Sequence, residues 1–395
     1  MPSESARHWT LDPEVVFLNH GSYGAVPRVV QELQQELQRE LEREPVRFMR
    51  GRNRRIDRSR NAVAAFLGAD PADVALVTNA THGVNAVLRS QAFRPGDQLL
   101  VTDHEYHACR NALDYVARRD GAEVVVAKIP FPLRDPEEVV AALVEKVTPR
   151  TVFCLVDQIT SPTALVLPVA RILEELQPRG IRVLVDGAHA PGQVAVRLGE
   201  LQPDYWTGNF HKWPCAPLGS AALWVHPRHR DAIHPTVISH GYDAADGARS
   251  RFHQEFDWEG TFDPTAWSCI ADTLEFVGSL HPDGWAGIRE RNHQLALEAR
   301  GLLCEGLGTE PVCPDSMVGT MASIALPAEL RRRLRERDVD LFGELVDRFG
   351  IEVPVIGWAE PVGTMVRVSC HLYNAREDYE TLLDALREVG SAADG

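Results

Sequence analysis

Residues 181–192 read IRVLVDGAHAPG, an apolar run that ends abruptly in polar and turn-forming residues. A continuous apolar run of this length predicts a strand buried on both faces, as in a parallel sheet covered by helices. Asp186 stands where the strand ends, and His189 follows three residues later. Ligands of open parallel sheets bind at the carboxyl ends of the strands, so both residues are candidates for a site. On this motif alone, Asp186 is equally well explained as the cap of the next helix.

Similar apolar runs occur on both sides of this one, and helical segments separate them. The runs are VALVT (74–78), QLLVT (98–102), EVVVA (123–127) and TVFCLV (151–156), and further strands are expected at 204–207 and 220–225. This alternation predicts an α/β protein with a mixed, mostly parallel sheet flanked by helices.

The pattern changes from about residue 283, where long helices alternate with short strands. One of these helices is expected to be a single charged helix over 329–349. This pattern predicts a smaller α+β domain. We therefore expect an N-terminal arm and loop (1–30), a large domain (31–282) and a small C-terminal domain (283–395).

Composition argues against several classes of partner. A net charge of -15 disfavours nucleic acid and anionic membranes, and no apolar run approaches the ~20 residues that a membrane-spanning helix needs. The seven cysteines are scattered without a CxxC pair, which is typical of reduced thiols, and the N-terminus has no signal-peptide pattern. We therefore expect a cytoplasmic protein whose ligand is a small molecule.

Lysine is rare in this chain, since Lys128, Lys146 and Lys212 are the only lysines among 41 Lys and Arg residues. Lys212 lies in WTGNFHKWPCAPLGS (206–220), between His211 and Trp213, after an expected strand. A desolvated amine has a lowered pKa and is nucleophilic, a role that arginine cannot take. The alternative, a surface lysine whose stem is buried, stays open at this point.

Two further motifs follow expected strands. In TNATHGVN (78–85), the Ala80 backbone and the Thr81 hydroxyl can bind an anion at a helix start, although a simple helix cap fits equally. In VTDHEYHAC (101–109), Tyr106 or His107 can stack on a flat cofactor. We expect no metal in this second motif, because adjacent residues at one strand end cannot all face one ion.

Together these motifs contain the parts needed to bind pyridoxal 5′-phosphate. The phosphate would lie at the helix start, the ring on the aromatic side chain, and the pyridine nitrogen beside the Asp186 carboxylate. Lys212 would bind the aldehyde. No GxGxxG follows the first strand, which disfavours a nicotinamide-dependent enzyme.

From LNHGSYG to VRVSCHLYNAREDYE, the sequence resembles the class V aminotransferase group of fold type I pyridoxal-phosphate enzymes. That group includes cysteine desulfurases, isopenicillin N epimerase and C–S lyases. The resemblance implies that Lys212 is the Schiff-base lysine, Asp186 the partner of the pyridine nitrogen and His189 the residue near the phenolic oxygen. The implied phosphate and ring contacts are Ala80, Thr81, Asn209, His211 and Tyr106.

The resemblance also implies residues that contact substrate or the partner subunit. Arg367 resembles the arginine that binds the substrate α-carboxylate, and Asn19, His20 and Ser22 resemble the loop that closes over substrate. Thr261, in EGTFDP (259–264), would reach the phosphate bound by a neighbouring subunit. A homodimer with shared active sites is therefore implied.

One departure from the family pattern narrows the expected activity. Cysteine desulfurases need a nucleophilic cysteine shortly before the carboxylate-binding arginine, and residues 351–367 contain none. We expect abstraction of the Cα proton of an L-amino acid, followed by β-elimination from an S-substituted cysteine. The alternatives are epimerisation, decarboxylating deamination and transamination in secondary metabolism.

Overall fold

The computed structural model describes residues 3–244, 247 and 249–391. Its strands are β1 Val16–Phe17, β2 Val74–Val77, β3 Gln98–Thr102, β4 Glu123–Ala127, β5 Thr151–Asp157, β6 Arg182–Asp186, β7 Tyr205–Asn209, β8 Ala221–Val225, β9 Met321–Ala325, β10 Ile351–Glu352, β11 Val355–Gly357 and β12 Thr364–Ser369. Its α-helices are α1 His20–Tyr23, α2 Arg28–Arg43, α3 Pro45–Arg50, α4 Arg52–Phe66, α5 Ala80–Ser90, α6 His107–Asp120, α7 Glu137–Glu145, α8 Val169–Leu176, α9 Leu198–Leu201, α10 Arg251–Phe256, α11 Thr265–Ser268, α12 Ile270–Ser279, α13 Gly284–Leu307, α14 Ala328–Glu336, α15 Leu341–Phe349 and α16 Arg376–Ser391.

A seven-stranded sheet in the order β2-β8-β7-β6-β5-β3-β4 forms the centre of the molecule. Strands β3 to β7 are parallel, and β8 is antiparallel to both of its neighbours, β2 and β7. Along β6, Val183 and Val185 pack in one apolar cluster while Leu184 packs in another, so each face of the sheet is buried. The predicted α/β class and mixed, mostly parallel sheet are confirmed.

The C-terminal part of the chain has its own antiparallel sheet in the order β11-β12-β9. The N-terminal arm joins this part, because β1 pairs in parallel with β10. The division at residues 30 and 282 stays a prediction, and residues 1–2 and 392–395 of the expected domains lie outside the described residues. No helix in the described ranges is long and apolar enough to cross a membrane.

The prediction of one charged helix over 329–349 was wrong. Helix α14 ends at Glu336, Asp338 has a φ of 52°, and α15 begins after Asp340. The Asp340 carboxylate accepts a hydrogen bond from the Phe342 backbone N–H at 3.2 Å and thereby caps the second helix.

Candidate active site

A cavity of about 400 Å³ lies at the carboxyl ends of β5, β6 and β7. Parallel strands bring these ends to one edge of the sheet, which is why residues from distant motifs meet there. Its lining includes Ser22, Tyr23, Asn79, Ala80, Thr81, Tyr106, Asp157, Ser161, Asp186, Ala188, His189, Asn209, His211 and Lys212. Most of the predicted site residues therefore face one space.

Lys212 lies just after β7, and its Nζ is 3.0 Å from His189 Nε2. The Trp213 indole N–H donates to His189 Nδ1 at 3.5 Å, so the proton of a neutral His189 lies on Nε2 and points at the amine. An amine that accepts this proton must itself be neutral. Burial, together with the nearby Arg367 charge, lowers the pKa of Lys212 to about 7.

Asp186 ends β6 and is almost fully buried. Its Oδ1 accepts from the Ala188 backbone N–H at 2.8 Å, and its Oδ2 accepts from the Cys109 thiol at 3.1 Å. Burial raises the pKa of Asp186, whereas these two donors and Lys212 act in the opposite direction. A buried carboxylate in this position suits a cationic partner such as a protonated pyridine nitrogen.

Two asparagine side chains position the start of α5 at the cavity. The Asn79 side chain accepts from the His82 N–H at 2.8 Å and caps the helix, while Asn209 Oδ1 accepts from the Ala80 N–H, also at 2.8 Å. The Ala80 N–H is therefore engaged by Asn209, which leaves Thr81 as the expected phosphate contact here. Asn209 thus positions the helix start in addition to lining the cavity.

His211 also lines the cavity beside this helix start. Its Nδ1 lies 3.1 Å from the Ser220 carbonyl oxygen, so Nδ1 carries a proton. Burial, and then the Lys212 charge, lowers the pKa of His211 to about 4. A bound phosphate dianion beside the ring would act in the opposite direction and favour the cationic form.

Arg367 is buried on β12, and its side chain has no acidic partner among the residues described. One Nη donates to the Ser161 carbonyl, the other lies 3.4 Å from Ser22 Oγ, and Nε has no acceptor. Ser22 and Ser161 both line the cavity. A buried guanidinium with a free donor is suited to bind a carboxylate.

The structure gives His20 a different place from the predicted substrate loop. His20 is fully buried behind Lys212, where Nε2 is 3.0 Å from the Lys212 carbonyl oxygen and Nδ1 is 2.6 Å from the Tyr373 hydroxyl. Asn19 Oδ1 accepts from the Ser22 hydroxyl and so supports a cavity residue. The geometry thus favours a positioning role for His20 over contact with substrate.

Thr261 is exposed and does not line the cavity of its own subunit. The neighbouring Glu259 is within 3.1 Å of His82 Nε2, which ties this segment to α5. The contact of Thr261 with a partner subunit stays a prediction. Tyr106, in contrast, lies at the cavity and precedes α6, where its ring is half-exposed.

Sequence reasoning missed two acidic residues of the site. Asp157 ends β5 as Asp186 ends β6, and the two are partners in the strand register. The rule that selected Asp186 would also have found Asp157, had the TVFCLV run been extended by one residue. Glu105 lies in the VTDHEYHAC motif, but its proximity to Asp186 depends on the turn after β3, which residue type alone does not predict.

Two groups of metal-ligand type occur in the described part of the chain: His20, Cys215 and His371, and Glu105, Cys109 and Asp186. In the first group, His20 Nε2 and His371 Nε2 both lie at hydrogen-bond distance from backbone carbonyl oxygens. In the second group, the Cys109 thiol donates to Asp186. The first group therefore serves chain packing behind Lys212.

The donor set fits pyridoxal 5′-phosphate. A neutral amine, a buried carboxylate, Thr81 at a helix start and an aromatic ring line one cavity of suitable size, and Arg367 retains a free donor. This fold and this site define a fold type I pyridoxal-phosphate enzyme.

The family model of aminotransferase class V matches residues 15–382, and the chain belongs to that family. Isopenicillin N epimerase of Streptomyces clavuligerus is 35% identical over 97% of both chains. A probable chloroplastic L-cysteine desulfhydrase of Arabidopsis thaliana is 29% identical over 100% of this chain and 86% of its own length.

A solved structure of a C-DES variant, with glycine covalently linked to its PLP cofactor, has the same fold with a TM-score of 0.78. The two chains are 21% identical, and the match covers 95% of this chain and 96% of the other. The expected family, fold type and cofactor are confirmed.

Proposed function

We propose that this enzyme abstracts the Cα proton of an L-amino acid and eliminates the β-substituent of an S-substituted cysteine. One observation carries the proposal: the Lys212 amine, whose pKa is about 7, lines the same cavity as Ser22 and Ser161, which contact the buried Arg367 guanidinium. The first group can take a proton from Cα, and the second can bind the α-carboxylate beside it.

Lys212, His189 and Asp186 have separate roles in this reaction. Lys212 Nζ receives the Cα proton, and the His189 ring holds that atom in place. Asp186 keeps a positive charge on the ring nitrogen of the cofactor, which when bound accepts the electron pair left at Cα. The products of elimination and hydrolysis are then a thiol, pyruvate and ammonia.

Elimination is favoured because it needs one base and a leaving group. Epimerisation also needs a proton donor on the opposite face, and it is the second candidate because an isopenicillin N epimerase is 35% identical over nearly the whole chain. Tyr23, which lines the cavity and is 73% exposed, is the candidate for that donor.

A desulfurase activity is disfavoured by the position of Cys370, the cysteine nearest to Arg367 in the sequence. Cys370 follows Arg367, is fully buried, and accepts a hydrogen bond from the Tyr379 hydroxyl at 2.9 Å. Burial raises the pKa of Cys370 to about 12, so the thiol is not a ready nucleophile. Persulfide formation at this residue is therefore not part of the proposal.

The deciding experiment incubates the holoenzyme with a series of cysteine S-conjugates in deuterium oxide. Release of pyruvate and thiol supports the lyase. Deuterium at Cα with inversion and no pyruvate identifies an epimerase, and formation of a keto acid only with an amino acceptor identifies a transaminase. Loss of carbon dioxide from the substrate would indicate the decarboxylating alternative.

We also propose that the enzyme is a cytoplasmic homodimer of secondary metabolism with shared active sites. Exposed apolar side chains support an interface, among them Leu218, Val237, Ile238 and Tyr242. All seven cysteines are free and buried, which is compatible with a reducing compartment.

A further inference from the structure

Three acidic side chains meet beneath the cavity. Asp157 and Asp186 are register partners at the ends of β5 and β6, and Glu105 enters from the turn between β3 and α6. One carboxylate oxygen of Glu105, one of Asp186 and the Cys109 sulfur all lie within 4.8 Å of one another. Glu105 and Asp157 are in side-chain hydrogen-bond contact with each other. Three ionised carboxylates gathered in this way would repel each other strongly in a buried site.

Hydrogen-bond donors are distributed unequally over the three side chains. Asp186 accepts from a backbone N–H and from the Cys109 thiol. Both oxygens of Glu105, and Oδ2 of Asp157, are buried without a donor among the residues that the structure covers. Burying an ionised carboxylate that accepts no hydrogen bond costs more free energy than burying a neutral acid. The proton is therefore expected on Glu105 or Asp157, whose oxygens lack donors.

The groups that face this cluster support the same distribution. Burial, followed by Asp157 and Asp186, raises the pKa of Glu105 well above its usual value. Burial, followed by Asp186, raises the pKa of Asp157. Lys212 faces both aspartates across the cavity and acts to lower their pKa, and burial keeps the Cys109 thiol neutral. The backbone of Tyr106 acts to lower the pKa of Glu105, but burial and the two aspartates outweigh it.

We infer that Glu105 is held as a neutral carboxylic acid that shares its proton with Asp157, and that this pair leaves Asp186 as the carboxylate available to the cofactor. The Glu105 O–H then donates a hydrogen bond to Asp157 Oδ2, which has no other donor among the described residues. Glu105 acts through Asp157 and Asp186, so it is a positioning residue. The inference rests on the proposed role of Asp186.

Infrared difference spectroscopy of the holoenzyme at neutral pH tests the protonation directly. The spectrum of wild type minus Glu105→Gln should show the loss of a carboxylic-acid C=O band that shifts in deuterium oxide. Glu255→Gln is the matched control, because Glu255 is a buried glutamate that is paired with Arg251 and His234, and its substitution should remove only carboxylate bands. Absence of an acid band attributable to Glu105 would overturn the inference.

The absorbance of the bound cofactor against pH gives a second readout. A glutamine amide donates a hydrogen bond as a neutral acid does. Glu105→Gln should therefore leave the pH midpoint of the absorbance change unshifted. If Glu105 were ionised, the substitution would remove a negative charge near Lys212 and lower that midpoint. A lowered midpoint therefore contradicts the inference, as does a stoichiometric metal ion that is lost in the variant.

Asp157→Asn provides the test should Glu105→Gln fail to fold. The acid band should persist but change frequency, because the proton of Glu105 now meets an amide oxygen. An unaltered band would show that the two side chains do not share the proton. Failure of the Asp186 assignment is distinguishable: Asp186→Asn would then leave the cofactor spectrum unchanged while the acid band of Glu105 remained.

Discussion

Lys212 shows how a single environment sets the reactivity of a side chain. Its ordinary pKa of 10.5 falls to about 7 because the amine is buried and close to Arg367. The cofactor aldehyde reacts only with the neutral amine, whose population rises as pH increases through the pKa. We expect covalent uptake of pyridoxal 5′-phosphate by the apoenzyme to increase with pH, with a midpoint near 7.

Borohydride reduction followed by mass spectrometry would measure this uptake at each pH. Lys146→Arg is a suitable control, because Lys146 is solvent-exposed beside Glu145. It should leave the profile unaltered, whereas Lys212→Ala should abolish the adduct. A midpoint close to that of a free lysine would contradict the burial argument.

Arg367 is buried, and its Nε has no hydrogen-bond acceptor among the described residues. We expect Arg367→Lys to raise KM for the amino-acid substrate by roughly tenfold to hundredfold, because the planar donor pair is lost while the charge is kept. Steady-state kinetics measures the effect. Arg331→Lys, at a similarly buried arginine that pairs with Glu360, should leave KM nearly unchanged.

At the scale of elements, the N-terminal arm supports the lysine segment from behind. The end of α1 packs so closely there that a Cβ at Gly24 would lie 2.2 Å from the His211 carbonyl oxygen. His20, on the same short helix, contacts the Lys212 carbonyl and the Tyr373 hydroxyl. The arm and the C-terminal segment therefore hold the backbone of Lys212 together.

We expect Gly24→Ala to lower the free energy of unfolding and to reduce cofactor occupancy, because the new methyl group displaces the lysine segment. Gly96→Ala is the matched control, since Gly96 also has a positive φ of 87° but no atom near the added Cβ. The control should lose about 1–2 kcal/mol from backbone strain and keep full occupancy. Chemical denaturation and absorbance measure the two effects. Equal occupancy losses in both variants would count against the proposed support.

At the scale of the whole molecule, the proposed shared site predicts complementation between inactive subunits. Lys212→Ala and Thr261→Ala should each be inactive or strongly impaired. A mixed dimer has one intact site if Thr261 serves the partner, so random mixing should restore about one quarter of wild-type activity. Mixing after mild dissociation, with activity as the readout, checks this.

If Thr261 served its own subunit, every site in the mixed dimer would carry a defect, and mixing would restore nothing. A Lys212→Ala protein mixed with Asp186→Asn is the matched control. Both of these residues lie in one subunit's cavity, so the mixture should remain inactive. Light scattering of the wild type would independently report the dimer.

The sequence by itself determined the order of strands and helices and the places where chemistry could occur. Apolar runs and the polar residues that end them are local properties of the chain, so β6 with Asp186, and the strand before Lys212, were predictable from residue type alone. The combined motifs then predicted the cofactor, and the sequence resemblance supplied the family and the roles of individual residues. The single helix over 329–349 was mispredicted, because the break at Asp338 depends on one residue's backbone conformation.

Only the tertiary structure decided how the predicted residues act on one another. It placed Arg367 against Ser161, which is 206 residues away, put His20 behind Lys212, and brought Glu105 to the two strand-end aspartates. The pKa of a group depends on desolvation and on charges within a few ångströms, and both arise from contacts between distant segments. The identity of a residue states which proton it can carry, and the fold determines whether it carries that proton.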